Sequence, residues 1–272
     1  MGAIAKDFSS HYTCHILPFT REIPVDKLFL LPFLVEAGDA LLSALRNRMC
    51  VALFGPAGVG KSVLIRWLIS KLPESRFRIH YVKVADLSKR DMCREIADIM
   101  GVASSGNYPT LVRRLQDRFL ILQDNESVRP IIVIDDAHHM RPDVLGLLSV
   151  LTNFEMDSRL VVSILLVGQP PLRRALEREE LEEVTGRLAH LATLRLLSRE
   201  ESRDYIKHRV NIAGMRSMPF DDQALEALYE TSRGNLRAID QIALKTLEVA
   251  HARGCKVADS NHVAEARKLV CL

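Results

Sequence analysis

"LFGPAGVGKSVL", Leu53 to Leu64, is the stretch on which the fold reading turns. It contains Gly55-x4-Gly60-Lys61-Ser62, the P-loop pattern. An apolar run, Met49–Phe54, precedes it, and a helical pattern follows over Lys61–Lys71, with Val63, Leu64, Trp67 and Leu68 on one face. The chemistry explains the residue types. Gly55, Gly58 and Gly60 let the backbone bend around phosphates with its N–H groups pointing inward. Pro56, Ala57, Val59 and Val63 belong to the same cradle and the first turn after it. A helix beginning near Lys61 turns its positive dipole end toward the anion. Lys61 is expected to reach the β- and γ-phosphates of ATP, and the Ser62 hydroxyl to ligate Mg²⁺.

A second stretch, "IIVIDDAHHM" (Ile131–Met140), runs four branched apolar residues into two aspartates. A buried strand ending in two like charges needs a cation, and the P-loop supplies one. Asp135 is expected to hold the Mg²⁺ of bound ATP, directly or through water. Asp136 then sits where an acid would polarise the attacking water. A further strand ends in Val167-Gly168-Gln169-Pro170, and Gln169 is expected either to contact the γ-phosphate or water or to cap the loop. Thr185-Gly186-Arg187 stands where an arginine finger acting on a neighbouring subunit is expected, with Arg178 and Arg195 as rivals. Gly234-Asn235-Leu236-Arg237 opens a helix, and Arg237 can fold back onto the nucleotide.

Outward from these motifs, Met49–Phe54, Ile79–Ala85, Ile131–Asp135, Leu160–Val167 and Ala192–Leu196 read as strands. Their near-continuous apolar character predicts a parallel sheet covered by helices on both faces. Helices are predicted at Lys89–Met100, Thr110–Gln123, Pro142–Phe154 and Pro171–Glu183, the last two opened by proline. After about Leu197 the strand signals stop. Ser198–Ala213, Asp221–Ser232, Asn235–Ala252 and Asp259–Leu269 read as helices, with Ser198 and Asp221 as N-caps and Glu201 completing a capping box. The expected organisation is a leader at 1–36, an αβα core at 37–197 and a helical lid subdomain at 198–272.

Composition bounds the rest. The chain has 272 residues, 48% hydrophobic and 26% charged, as in ordinary globular proteins. Its apolar runs fall short of the roughly 20 residues that span a bilayer, and the N-terminus lacks a secretory signal or a good myristoylation motif. Five scattered cysteines, none in a C-x-x-C pair, suit free thiols in a reducing cytoplasm. His11, Cys14 and His15 are too few for a closed metal site. A net charge of +3 neither demands nor excludes nucleic acid. Basic clusters occur at Lys89, Arg90 and Arg94, at Arg113 and Arg114, and from Arg203 to Arg209.

Taken together, the P-loop, "VIDDAHH", the "GQP" strand end, "GRL" and "GNLR" resemble an AAA+ ATPase over nearly the whole chain. Within that superfamily the chain is most similar to the bacterial ExeA-like and TniB/TnsC/MuB-like group, the ATPases of transposons and of one secretion system. "LPFTREIPVDKLF" (Leu17–Phe29), "IDDAHHM", "LLVGQPPLRRAL" (Leu165–Leu176) and "GNLRAIDQIALKTLEVA" carry that resemblance. It implies an α/β AAA+ P-loop fold, a five-stranded parallel sheet in the order 5-1-4-3-2, and a C-terminal helical lid. It also implies ATP-dependent rings or filaments with ATP at subunit boundaries. The family usually has glutamate where this chain has Asp136. Aspartate is shorter by about 1.5 Å, and a misplacement of about 1 Å can cost around a hundredfold. Slow hydrolysis and a long-lived ATP state are therefore expected. His138 and His139 either relay nucleotide state or satisfy nearby backbone groups.

Two functions follow from the resemblance. The first is an ATP-switched, DNA-binding regulator of transposition that coats double-stranded DNA and recruits a transposase or target-selection adaptor, in the cytoplasm and without a membrane partner. Lys89, Arg90 and Arg94 would grip DNA phosphates, with Arg90 and Arg94 on one helix face. The second is a secretion-associated ATPase. ExeA-type proteins continue into a membrane span and a cell-wall-binding domain that this sequence does not show, which weighs toward the first. A nucleotide-gated scaffold with little hydrolysis overlaps with both.

Overall fold

The computed structural model describes residues 3–84, 86–124 and 127–270. Ala85, the expected end of the second strand, and Cys271 lie outside the described residues. Along the chain, α1 (Ala3–Tyr12) and a 3-10 turn at Val25–Lys27 precede α2 (Pro32–Arg46) and β1 (Cys50–Phe54). Next come α3 (Lys61–Ser70), β2 (Phe77–Lys83), α4 (Lys89–Ile99), α5 (Tyr108–Asp124) and β3 (Arg129–Asp135). A 3-10 turn at Ala137–His139 leads into α6 (Pro142–Thr152), β4 (Ser163–Gly168), α7 (Pro170–Leu176), α8 (Glu182–Thr185) and β5 (Leu188–Thr193). Helices α9 (Arg199–Ile212), α10 (Asp222–Ser232), α11 (Leu236–Ala252) and α12 (Ser260–Lys268) follow.

The chain forms two compact units. One comprises Pro32–Ala57 and Lys61–Leu194. Its sheet is wholly parallel with the order β2-β3-β4-β1-β5, the expected order read from the other edge. Every residue of β1 and β4 is buried, because strands covered by helices on both faces have no wet side. Alternate residues Ala52, Phe54, Ile132, Ile134, Ile164 and Leu166 join Met92, Ile96, Leu115 and Leu145 in one apolar core. Each fully buried aliphatic side chain there contributes about 1.5–3 kcal/mol. Leu41, Leu45, Leu64 and Leu68 of α2 and α3 are likewise fully buried.

Three expectations are corrected. The last strand is Leu188–Thr193, not Ala192–Leu196. It is an edge strand with only Ala192 fully buried, so it lacks the continuous apolar run that marks central strands. β2, the other edge, starts two residues early and alternates buried with exposed residues rather than being buried throughout. The predicted helix Pro171–Glu183 is broken: α7 stops at Leu176, a 3-10 turn covers Glu179–Leu181, and α8 takes the remainder. Glu179 and Glu180 sit on the 3-10 turn, and Glu182 and Glu183 open α8.

The other unit takes the N-terminal stretch through Leu31, the chain from Arg195 onward, and the loop tip Gly58–Gly60. Its helices are capped as their sequences predict. Ser198 and Glu201 form the capping box of α9, and Asp221 and Asn235 accept from the third helical residue's N–H of α10 and α11. Inside it, Arg209 is 3% exposed and donates to Asp240 at 2.9 Å, while Tyr205 donates to the same carboxylate at 2.8 Å. Arg209 also donates to Thr20 O at 2.6 Å, fastening the leader to α9. His11 Nε2 donates to Cys255 O, and His15 N to Ala213 O, so both lie in packing contacts within this unit.

Candidate functional site

The candidate nucleotide site begins where β1 ends. Gly58 and Gly60 have φ of +75° and +102°, conformations that L side chains adopt only under strain. The loop therefore turns tightly before α3 begins at Lys61. Lys61 Nζ donates to Gly55 O at 2.8 Å and to Pro56 O at 2.9 Å, so the lysine lies inside the curl of its own loop. Ser62 is exposed at the first turn of α3. Arg237 N donates to Gly58 O at 3.2 Å within the helical unit, and the Arg237 side chain is exposed.

Strand order decides what stands beside this loop. β4 lies between β1 and β3, so the C-terminal ends of β1 and β3 are about 10 Å apart with β4 between them. Gly55 N donates to Gly168 O at 3.2 Å, joining the P-loop to the end of β4. The next residue, Gln169, places its Nε2 2.9 Å from His138 Nε2, in the turn that follows the acid pair. Three hydrogen bonds, Lys61 to Gly55, Gly55 to Gly168 and Gln169 to His138, together with the chain itself thus link Lys61 to the turn that leaves β3.

Asp135 is held from two sides. Its Oδ1 accepts from Asp136 N at 2.8 Å, and its Oδ2 accepts from the Tyr81 hydroxyl at 2.6 Å. Although the Tyr81 ring is 47% exposed, partial desolvation of its hydroxyl and the hydrogen bond to Asp135 push it above the ordinary phenol range, so it remains a donor. Tyr81 carries no motif. Its role could be read only from the pairing Tyr81↔Val133, which brings β2 against β3 two residues before Asp135.

The backbone supplies a reason for aspartate at position 136. Asp136 has φ 56° and ψ 30°, the left-handed conformation, and from there the chain enters the 3-10 turn. Aspartate and asparagine tolerate that region better than longer side chains because they bond locally. Asp136 Oδ2 lies 3.8 Å from Lys83 Nζ, a long pair whose lysine is 70% exposed and so contributes little. His138 and His139 stack with ring centroids 4.1 Å apart. Burial, with the stacked His139 adding to it, lowers the His138 pKa, so its ring is neutral at pH 7.

A hydroxyl, a carboxylate and a lysine beside a glycine loop are the donor set for a nucleoside triphosphate with a hard divalent cation. The residues present fit that group.

Arg187 is not part of this edge. It precedes β5, whose first residue pairs with Cys50, the first residue of β1. Five residues of strand, about 16 Å, separate it from the P-loop. There it makes two hydrogen bonds of 2.5 Å to the Asp157 carboxylate, beside a cavity of about 610 Å³ also lined by Gln116, Asn153 and Glu183. Arg195 is paired with Glu201, and Arg178 with Glu180.

The basic clusters are tied to their own surroundings. Arg90 Nε donates to Gly106 O and Arg94 pairs with Asp91, while Arg114 donates to Ala103 O and Ser105 O. Arg90 and Arg114 pin the loop between α4 and α5. Lys89 lies half-buried in the first turn of α4. Among the described residues, no helix is long and apolar enough to cross a membrane.

Residues 44–176 match a family model described as an AAA domain. The chain is 30% identical over 206 residues to General secretion pathway protein A of Aeromonas hydrophila, covering 75% of this chain and 37% of that protein. It therefore spans little more than a third of that relative. Among solved structures it is similar to Cdc6p from Pyrobaculum aerophilum, with a TM-score of 0.74 and 18% identity over 93% of this chain and 70% of that one. The Aeropyrum pernix Orc1 protein in complex with DNA gives a TM-score of 0.68 at 18% identity, over 91% of this chain and 68% of that one. The RuvB Holliday junction branch migration motor of Thermotoga maritima gives 0.62 at 18%, over 92% and 73%. At such identity the structures speak to fold alone. Residues 44–176 thus match an AAA domain, and the chain has the AAA+ P-loop fold.

Proposed function

We propose that this chain is a Mg²⁺-dependent ATPase that assembles on duplex DNA in its ATP state and regulates transposition by recruiting or activating a transposase. The observation that carries the ATPase reading is the link of three hydrogen bonds and intervening chain from Lys61 to the Asp135 turn across three strand ends. In this reading Lys61 binds the β- and γ-phosphates and the loop amides of Gly55–Val63 surround them. Ser62 and Asp135 hold Mg²⁺, which when bound neutralises charge on the phosphate oxygens. Asp136 draws a proton toward itself from the attacking water, and Gln169 contacts the γ-phosphate or that water. The short acid makes hydrolysis slow, so the ATP state persists.

Self-assembly is supported by the place of Arg187. About 16 Å of strand lies between it and its own P-loop, so it can complete only another subunit's site. DNA as the partner is supported by the basic first turns of α4 and by fold neighbours described as bound to DNA or as a branch migration motor. Arg90 and Arg94 would exchange their present partners for DNA phosphates, and Lys89 would bind a phosphate beside them. The transposition role rests on the sequence resemblance. A cytoplasmic protein without a membrane partner belongs to the same reading.

A second reading is favoured by one observation, the 30% identity to a general secretion pathway protein. One experiment separates them. The protein is mixed with duplex DNA and ATP, ADP or a non-hydrolysable analogue, and inspected by electron microscopy. ATP-dependent filaments on DNA, with affinity falling steeply with salt, support the first. Failure to coat DNA, with binding to secretion components instead, supports the second. Lys61→Ala should abolish nucleotide binding in either case; unchanged affinity sinks the ATPase reading itself.

A further inference from the structure

Gln169 Nε2 approaches His138 Nε2 at 2.9 Å. With the carboxamide NH₂ facing the ring it donates, His138 Nε2 accepts and the ring proton resides on Nδ1. His138 Nδ1 is buried without a hydrogen-bond partner. A histidine tautomer is ordinarily set by what the other ring nitrogen binds. Here the other nitrogen binds nothing, so nothing on that side prefers one tautomer. The reversed pair, with His138 Nε2–H donating to Gln169 Oε1, leaves Nδ1 equally bare. The two arrangements are close in energy, and whatever meets the outer end of the carboxamide selects between them.

We propose that His138 is a positioning residue that reads the occupant of the γ-phosphate position through Gln169, by exchanging the end of the carboxamide it binds. This rests on the reading of Gln169 as the γ-phosphate contact. A phosphate oxygen only accepts hydrogen bonds, so it draws the NH₂ outward. Oε1 then turns to His138; the buried Nδ1 gives up its proton and Nε2 takes one, both exchanged with water as the turn transiently opens, so one proton leaves, one arrives and the charge is unchanged. Without the γ-phosphate the observed arrangement stands. The turn that carries His138 leaves directly from Asp136, and a Cβ on Gly168 would lie 3.3 Å from His138 N. There is little slack between the strand end and this turn, so the exchange is felt at the acid pair.

The test uses the full chain with ¹⁵N-labelled histidine; the sequence has nine, and the His138 signal is assigned by its loss in His138→Gln. Long-range ¹H–¹⁵N spectra are recorded with Mg²⁺-ADP and with a Mg²⁺-bound non-hydrolysable ATP analogue. The expected result is Nδ1–H with ADP and Nε2–H with the analogue. The same tautomer in both, with a fluorescence titration showing both nucleotides bound, overturns the proposal. If the titration shows that neither binds, the ATPase reading has failed and the proposal falls with it. A second arm measures preference for triphosphate over diphosphate. His138→Phe should lose about tenfold of it, equivalent to about 1.4 kcal/mol. His138→Gln, which can donate and accept, should keep it within about threefold. An unchanged preference in His138→Phe also overturns the proposal.

Discussion

The two edges of the parallel sheet differ in how they hold their polar groups. At the C-terminal edge, Lys61, Gly55, Gly168, Gln169, His138, Asp135 and Tyr81 are braced to one another across four strands. At the opposite edge, Arg187 is held by Asp157, whose side chain is 49% exposed and which follows Glu155 and Met156 in a run of three positive-φ residues. A braced edge keeps its geometry before any ligand arrives, which is what charge stabilisation during phosphoryl transfer requires. An arginine paired with an exposed carboxylate is screened by solvent and can change partner. In the proposed function, the first edge receives the nucleotide and the second lends Arg187 to a neighbouring subunit.

The largest expected effect tests the lending edge. Arg187→Ala should lower ATP turnover of the assembled protein by about a thousandfold, while single-subunit nucleotide affinity stays unchanged. Mixing it with Lys61→Ala should restore part of the activity, because an intact P-loop then meets an intact arginine. No recovery on mixing breaks the comparison.

Next comes the acid pair. Asp136→Glu advances the carboxylate by about 1.5 Å, and turnover should rise by up to about a hundredfold. The left-handed backbone at 136 opposes this with a stability loss on the order of 1 kcal/mol, visible as a lower Tm. Turnover no faster than the parent would show that acid length is not what limits the reaction.

A smaller effect concerns the brace from β2. Tyr81→Phe removes the donor to Asp135 and should weaken Mg²⁺-dependent nucleotide binding roughly tenfold, read from Mg²⁺ titrations. An unchanged titration would mean that Asp135 needs no outside orientation.

The smallest concerns Asp157. Its carboxyl is held below the usual range, first by the Arg187 hydrogen bonds. A depressed acid keeps its ion pair at neutral pH and through the ordinary carboxylate range, and loses it only as pH falls through the lowered value. Asp157→Asn should therefore speed ATP-dependent assembly by no more than about threefold, by an amount constant over that range. A gain that disappears between neutral pH and the ordinary carboxylate range would assign the effect to another group.

The P-loop and acid-pair motifs and the caps Ser198 and Asp221 were legible because each is a local pattern, whereas the sheet order came from the family resemblance. The P-loop needs glycine at fixed spacing for its turn, and a central strand must be apolar along its length. The edge strands were less legible: β5 has one neighbour and half-wet faces, so its pattern resembles the segment that follows it.

What only the tertiary structure decided are the partnerships across strands. Tyr81 meets Asp135 across 54 residues, Gln169 meets His138 across 31, and Arg187 meets Asp157 across 30. The buried Arg209–Asp240 pair belongs with them: in the sequence Arg209 is one more member of a basic cluster. By itself the sequence named the side chains whose chemistry suits phosphate and metal, because that chemistry resides in residue type and short spacing. Which of them are braced, buried or free to be exchanged depends on strand neighbours and on access to water, and both arise only when distant segments pack.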